Sequence, residues 1–282
     1  GDLDHVDEFG AVDSNKTAFK SVRIQTRALW QCRFALLREE GRKKYLVSSA
    51  AAWNYGFAKQ DPVGFFTNGD GVSPTLAIEG DTFFMGAYAV AYLLLESAPN
   101  LDRPLLSYES HKLDTVRSLG WLDANVSYII SSTLQTPNRA LFAAVCFYLN
   151  GLRIGNNSWQ QQGLRFYDRA IAMRHPAGYF LEKNGYDSSY QGVSMFNMCY
   201  LFFASPDLEF RRRIKEDLQI AADWLSTRIA KTGTNIGEIS TVGNSRTGPD
   251  GELGTGGKIK EVNYTECALA LYYSSYILKA PP

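Results

Sequence analysis

Phe83-Phe84-Met85-Gly86-Ala87-Tyr88-Ala89-Val90-Ala91-Tyr92-Leu93-Leu94-Leu95 is the longest apolar run in the chain. A strand with one wet face alternates apolar and polar residues, and this run does not alternate. Nor does it confine its apolar residues to one stripe. It reads as a helix enclosed on every side. It is shorter than the ~20 residues needed to cross a hydrocarbon layer. The run therefore predicts the central helix of a soluble fold rather than a membrane span.

Outward from this run the pattern stays helical. The spacing of apolar residues predicts helices over about 14–40, 43–59, 80–97, 111–133, 137–151, 157–174, 189–204, 207–230 and 262–279. Ser14 reads as the N-cap of the first and Gly41 as its stop. Pro99, Pro104, Pro137 and Pro206 fall at helix boundaries, where proline is tolerated. Short links between long helices predict antiparallel helical hairpins. No βαβ alternation and no linker interrupt the chain, so residues 1–282 read as one all-α domain. Residues 1–15, with Asp2, Asp4, Asp7, Glu8 and Asp13, read as an extended acidic surface arm.

Composition narrows the partners. Of 282 residues, 45% are hydrophobic and 21% charged, enough apolar material for a packed core. Lys+Arg and Asp+Glu both number 29, so no basic excess exists to neutralise phosphates. This argues against nucleic acid as a partner. Arg211-Arg212-Arg213 lies among Glu209, Glu216 and Asp217 and reads as a solvated helix face. Cys32, Cys146, Cys199 and Cys267 form no CxxC pair and sit in apolar helical patterns, the setting of buried free thiols. The histidines, His5, His111 and His175, stand in unlike contexts and do not make a zinc set. No metal or cofactor is expected. His5 and His111 read as surface or capping residues. The chain begins with Gly1 rather than Met, and a trimmed targeting segment stays open.

Three longer loops, at about 60–79, 175–188 and 231–261, precede apolar helices. The first contains Gly64-Phe65-Phe66-Thr67-Asn68-Gly69 and the second Gly178-Tyr179-Phe180-Leu181-Glu182-Lys183-Asn184-Gly185. Both begin with glycine, an aromatic residue and phenylalanine, then reach Asn-Gly, a hairpin-turn signal. The third begins Gly233-Thr234-Asn235-Ile236-Gly237. Outer helix, ordered loop and buried helix thus recur as a degenerate repeat.

This layout, notably Gly178-Tyr179-Phe180 through Tyr190-Gln191-Gly192, resembles the α/α-toroid enzymes that act on glycans: polysaccharide lyases and unsaturated glucuronyl hydrolases. The resemblance covers most of the chain in layout and matches no catalytic motif, so no family residue is carried over. It implies an incomplete α/α toroid of antiparallel hairpins with its long loops at one end. It also implies an acidic, uronate-containing oligosaccharide or polysaccharide as partner, cleaved by β-elimination or hydrolysis, and a periplasmic or secreted location, with a cytoplasmic one also possible. Fold alone does not fix function. A non-catalytic glycan-binding or scaffold protein, or a small-molecule or isoprenoid enzyme, fits the same architecture. Oligomeric state is not legible.

Candidate site residues follow from the loops. In Glu182-Lys183-Asn184-Gly185-Tyr186-Asp187-Ser188-Ser189-Tyr190, a carboxylate and phenols meet the mouth of an apolar helix. Asp187 suits either an N-cap or a site carboxylate. Elimination needs a cation or amide on the substrate carboxylate and a group that removes the proton beside it. Tyr190 is the preferred phenol and His175 the preferred imidazole, though a histidine near a helix C-terminus also simply complements the dipole. Arg246 and Asn244 suit the substrate carboxylate. Gly254-Thr255-Gly256-Gly257-Lys258 lacks P-loop spacing. Glu79, Asp81 and Asn263, at starts of the 80–97 and 262–279 helices, complete the expected cleft with Tyr179, Glu182 and Tyr186. Paired with Asp187, Glu79 or Asp81 suits hydrolysis, and Asp81 also suits a cap. Phe65, Phe66, Tyr179 and Tyr186 are the aromatics placed to stack on sugar.

Overall fold

The apolar run at 83–95 belongs to a longer helix than its composition predicts. In the computed structural model of the chain this helix begins at Pro74 and ends at Ser97. The residues described are 6–66, 73–98, 108–132, 136–182, 185–232, 235–239 and 264–280. Among them the chain is mainly helical: α1 Ala28–Leu37, α2 Arg42–Phe57, α3 Pro74–Ser97, α4 Lys112–Ala124, α5 Val126–Ser132, α6 Pro137–Ile154, α7 Asn157–Ala172, α8 Ser188–Ala204, α9 Leu208–Thr227 and α10 Tyr264–Lys279. One antiparallel hairpin, β1 Ile229–Thr232 with β2 Asn235–Ile239, lies between α9 and α10. The chain divides into two compact units. Gly1–Thr133 with Val145–Gly163 make the first, and Leu134–Ala144 with Leu164–Pro282 the second.

In the first unit, α3 is the core element. Ser73 Oγ accepts the Leu76 N–H at 3.3 Å and Pro74 occupies the first turn, where its missing N–H is no loss. Glu79 and Asp81 therefore lie inside α3, not at its start, and Asp81 is not a cap. The stretch Leu76–Ser97 is long and apolar enough to cross a membrane by length and composition, beyond what the shorter run suggests. In this structure 83% of that window is buried inside the protein, the surroundings of a core helix. Trp53 and Phe57 of α2 meet Phe84 and Tyr88 of α3, with Phe66 closing the cluster at centroid distances from 4.9 to 6.0 Å.

The N-terminal region departs from expectation. Residues 1–5, His5 included, lie outside the described residues. Ala11, Val12 and Asn15 are buried and Val6 bridges Val12, while Glu8, Phe9, Ser14 and Lys16 are exposed. The helix expected over 14–40 is broken. Asn15 Oδ1 accepts the N–H groups of Lys20 and Ser21 at 2.8 and 3.3 Å, and its amide donates to the Ser21 carbonyl at 2.9 Å. That turn consumes the groups a continuous helix would use. Two 3₁₀ turns, Asp13–Lys16 and Val22–Arg27, lead into α1 instead, and Ser14 caps nothing. Gly41, with φ of 76°, opens α2 rather than closing α1. The helix expected over 111–133 is likewise two: Asn125 ends α4, its side-chain amide donating to the Trp121 carbonyl at 2.8 Å.

In the second unit α8 packs against α9 and α10. Gly192 lets α10 approach: a Cβ there would lie 3.0 Å from the Cys267 backbone. Cys267 Sγ donates to the Ser188 carbonyl at 3.1 Å. All four cysteines are free and buried. Burial pushes the Cys32 and Cys199 thiols up to about 12, and the Cys146 thiol upward too. The third expected loop contains strand from Ile229 onward, so α9 stops before the predicted end at 230. The Arg211–Arg213 cluster is a solvated face: Arg212 pairs with Glu209 and Glu216, Arg213 with Asp168.

The repeat extends beyond the loops. Residues 28–66 and 142–180 run in register without insertion, matching Cys32 with Cys146, Gly41 with Gly155, Pro62 with Pro176, Gly64 with Gly178 and Phe66 with Phe180. Each segment runs helix, left-handed glycine, helix and bridged loop. Gln60 bridges Phe66 and Arg174 bridges Phe180. The glycines before the second helices have φ of 76° and 77°, and those in the loops 104° and 104°.

Candidate functional site

Loop 174–180 is held by its ends. Arg174 Nη1 meets Asp217 Oδ1 at 2.8 Å, and the Tyr167 hydroxyl donates to the same carboxylate at 2.8 Å. Burial and the Asp217 charge hold the Tyr167 phenol well above its ordinary range. Gln191, buried in the first turn of α8, staples the other end. Its Oε1 accepts the Phe180 N–H at 2.9 Å, and its amide donates to the carbonyls of Gly178 and Ala221 at 3.3 and 3.1 Å. At Gly178 a Cβ would lie 2.8 Å from the Ile220 carbonyl oxygen of α9. Only glycine tolerates both that approach and the positive φ.

This closeness delivers an aromatic cluster. Tyr179 stacks on His175 at 4.4 Å and 10°, and lies 5.3 Å from Trp224. Tyr186 meets both Tyr179, at 5.5 Å, and Trp224, at 5.2 Å. The Arg228 guanidinium sits 4.9 Å over the Tyr186 ring and 6.0 Å from that of Trp224. All five side chains are half-buried. Apolar faces beside a cation suit a sugar ring bearing a carboxylate.

The structure assigns definite tasks to the other candidates in this unit. Asp187 is buried, and its Oδ1 accepts the N–H groups of Ser189 and Tyr190 at 2.9 and 3.2 Å, the geometry of an N-cap. The positive end of the α8 dipole thus already faces a carboxylate. Glu182 is 2% exposed and bridges Gly185. Tyr190 stands half-exposed in the first turn of α8. His175 lies beyond the end of α7, in the loop, not on a helix terminus. Its Nδ1 accepts the Ala177 N–H at 3.1 Å. A neutral ring that accepts at Nδ1 carries its proton on Nε2. With Nδ1 so engaged, Nε2 is the ring nitrogen of His175 left to meet a ligand.

Glu79 and Asp81 belong to the first unit. Glu79 is buried beneath Arg23, whose Nη1 reaches its Oε1 at 2.6 Å. Asp81 is also buried, and its Oδ2 accepts the Phe66 N–H at 3.4 Å. Burial holds the Asp81 carboxyl well above its ordinary range, the Phe66 N–H opposes this, and Asp61 adds to it. Phe66 itself is fully buried and cannot stack on a ligand. His111 stands at the N-cap position of α4 without a side-chain cap bond: its ring stacks on Phe57 at 4.2 Å, and its nitrogens meet Asn54 Oδ1 at 2.7 Å and Asp114 Oδ2 at 3.1 Å. Asn244, Arg246 and Asn263 lie outside the described residues, as do Asn68, Gly69 and Asn184.

Sequence reasoning missed Trp224 and Arg228. Their signal was a Trp and an Arg four apart at the end of an amphipathic helix, directly before a loop. No family model, curated protein or solved structure matches this chain.

Proposed function

We propose that this chain is a carbohydrate-active protein that takes an acidic, uronate-containing oligosaccharide or polysaccharide and cleaves it by β-elimination or hydrolysis. The observation that carries the proposal is the Tyr179–Tyr186–Trp224 cluster with the Arg228 guanidinium against it. In this reading the rings stack on the sugar and Arg228 neutralises the uronate carboxylate, which acidifies the adjacent C–H. Elimination then proceeds as Tyr190, acting as its phenolate, takes that proton, the electron pair forms the new double bond, and the glycosidic C–O bond breaks. Tyr190 then returns the proton to the leaving oxygen, and the Nε2–H of His175 hydrogen-bonds that oxygen as it departs. An incomplete α/α toroid, a periplasmic or secreted location, and the absence of nucleic-acid and membrane partners belong to the same proposal.

Incubation with pectate, alginate and hyaluronate tests it. Elimination adds the ultraviolet absorbance of a conjugated enoate, and hydrolysis adds only reducing ends. Trp224→Ala and Arg228→Gln are expected to lose activity, and Tyr190→Phe to lose elimination. Activity unchanged in all three variants would sink the reading. A second reading, glycan binding without turnover, is favoured by one observation: the Asp187 carboxylate is engaged as a cap. Binding that needs Trp224, with no product from any of these polymers, would select it.

A further inference from the structure

The register that matches 28–66 with 142–180 pairs Phe65 with Tyr179, and the helices on which the two loops press, α4 and α9, correspond in a register of their own that pairs Trp121 with Trp224 and Asn125 with Arg228. The loop of the first unit has the same construction. Asp61 Oδ1 accepts the N–H groups of Val63, Gly64 and Phe65 at 3.0, 2.9 and 3.0 Å. Gln60 donates to Ser118 Oγ and to the Asp114 carbonyl at 2.5 and 2.8 Å. A Cβ on Gly64 would lie 2.2 Å from the Arg117 carbonyl oxygen, as one on Gly178 would press on Ile220. One turn past Arg117 stands Trp121, and one turn past Ile220 stands Trp224. Phe65 and Trp121 meet at 4.9 Å, both half-buried, as Tyr179 and Trp224 meet at 5.3 Å.

We propose that Phe65 and Trp121 form a second carbohydrate subsite, one that takes a neutral sugar ring. The proposal rests on the glycan reading of the Tyr179–Trp224 cluster. What differs between the loops is charge. The position of Arg228 is held by Asn125, whose amide is donated to the Trp121 carbonyl. The position of His175 is held by Asp61, engaged by three backbone N–H groups. Arg117, one turn before Trp121, is paired with Asp114 at 2.6 Å. Among the described residues the aromatic faces stand without the cation that a uronate needs, which favours a sugar without a carboxylate.

Calorimetric titration tests this, with cellohexaose, mannohexaose and xylohexaose as neutral probes and hexagalacturonate as the acidic one. Wild-type protein is expected to bind a neutral probe. Trp121→Ala is expected to weaken that binding about tenfold or more, while Trp224→Ala leaves it within about twofold. Phe65→Leu keeps the apolar contact with Trp121 and removes the ring, so it separates stacking from loop stability, with melting temperature as the check. Neutral probes that fail to bind wild type, or that bind Trp121→Ala and Phe65→Leu as they bind wild type, overturn the subsite. If hexagalacturonate binding still depends on Trp224 in that case, the proposed function stands without the second subsite. If no probe binds, the subsite falls, and the proposed function is decided by the pectate, alginate and hyaluronate assay.

Discussion

Asp81→Asn is expected to stabilise the protein, and by an amount that depends on pH. Asp81 is 1% exposed. One carboxyl oxygen accepts the Phe66 N–H at 3.4 Å, and the other, Oδ1, is buried without a hydrogen-bond partner among the described residues. Desolvation raises the pKa of this group, and Asp61 adds to the rise. Cys146 also feels the Asp81 charge across the same interior. The raised pKa fixes the sign. Below about pH 4, the ordinary aspartate range, folded and unfolded chains both hold the proton, and the group adds no pH dependence. Above it the unfolded chain releases its proton while the folded one keeps it. Stability then falls as pH rises, until the folded carboxyl also ionises.

An asparagine has no proton to lose. Its oxygen can accept the Phe66 N–H, and its NH₂ replaces the oxygen that now lacks a partner. The NH₂ is no better partnered than the oxygen it replaces, so what asparagine removes at neutral pH is the proton-linked cost, about 1.4 kcal/mol for each pH unit between the unfolded and folded pKa and on the order of 1–3 kcal/mol in all. For a chain of this size that corresponds to roughly 3–10 °C in melting temperature. Calorimetric scans of both proteins at several values between pH 4 and 8 provide the measurement. The gain is expected to be smallest at pH 4 and to grow towards neutrality. A gain that is independent of pH, or a variant less stable than wild type at pH 7, refutes the argument, since either means that the carboxylate is stabilised where it stands.

Three further outcomes are expected. Gln191→Leu removes the partners of the Phe180 N–H and of the Gly178 and Ala221 carbonyls, and urea unfolding should show a loss of about 3 kcal/mol, against less than about 1 if the staple is idle. Gly64→Ala and Gly178→Ala should each cost more than about 2 kcal/mol. Gly64→Ala should be the worse, its Cβ falling 2.2 Å from a carbonyl oxygen against 2.8 Å; equal or negligible losses would mean that the loops simply shift. At pH 8 a thiol reagent such as DTNB should label none of the four cysteines of the native chain and all four in guanidinium, because each is buried and Cys32 and Cys199 titrate at about 12; prompt native labelling would contradict this.

Helices long enough to carry several turns of periodic apolar residues were legible in sequence, as α6, α7, α8 and α9 show. What escaped was decided by single side chains competing with the backbone. Asn15 folds the chain on itself and breaks a helix whose apolar spacing continues unchanged through it. Asn125 does the same between α4 and α5. At the start of α3 the error ran the other way: the helix was expected from about 80, yet proline in the first turn and a glycine packed beside Arg23 both suit a helix that begins at Pro74.

The candidate site divides along the same line. Loop residues were found because glycine and aromatic residues stand out locally, and the Asp187 cap followed from the local rule for helix starts. Trp224 and Arg228 were missed because nothing in the sequence around α9 distinguishes an aromatic residue facing a loop from one facing a core. Their position depends on Gly178, distant in sequence, whose lack of a side chain lets the loop press onto the α9 backbone. The repeat supplies the missing information. Gly64 brings Phe65 to Trp121 as Gly178 brings Tyr179 to Trp224, so in this chain each glycine-aromatic-phenylalanine loop has a tryptophan one turn beyond its contact on the helix it presses against. The two loops then differ in what staples them, a buried carboxyl at Asp81 and a fully bonded amide at Gln191. The amide makes three neutral hydrogen bonds and carries no proton to lose, whereas the carboxyl makes one and stands against the Asp61 charge. The ring pair bearing the cation is thus set on a neutral amide, and the neutral pair on a buried carboxyl whose raised pKa makes the fold less stable as pH rises through the range where only the unfolded chain ionises.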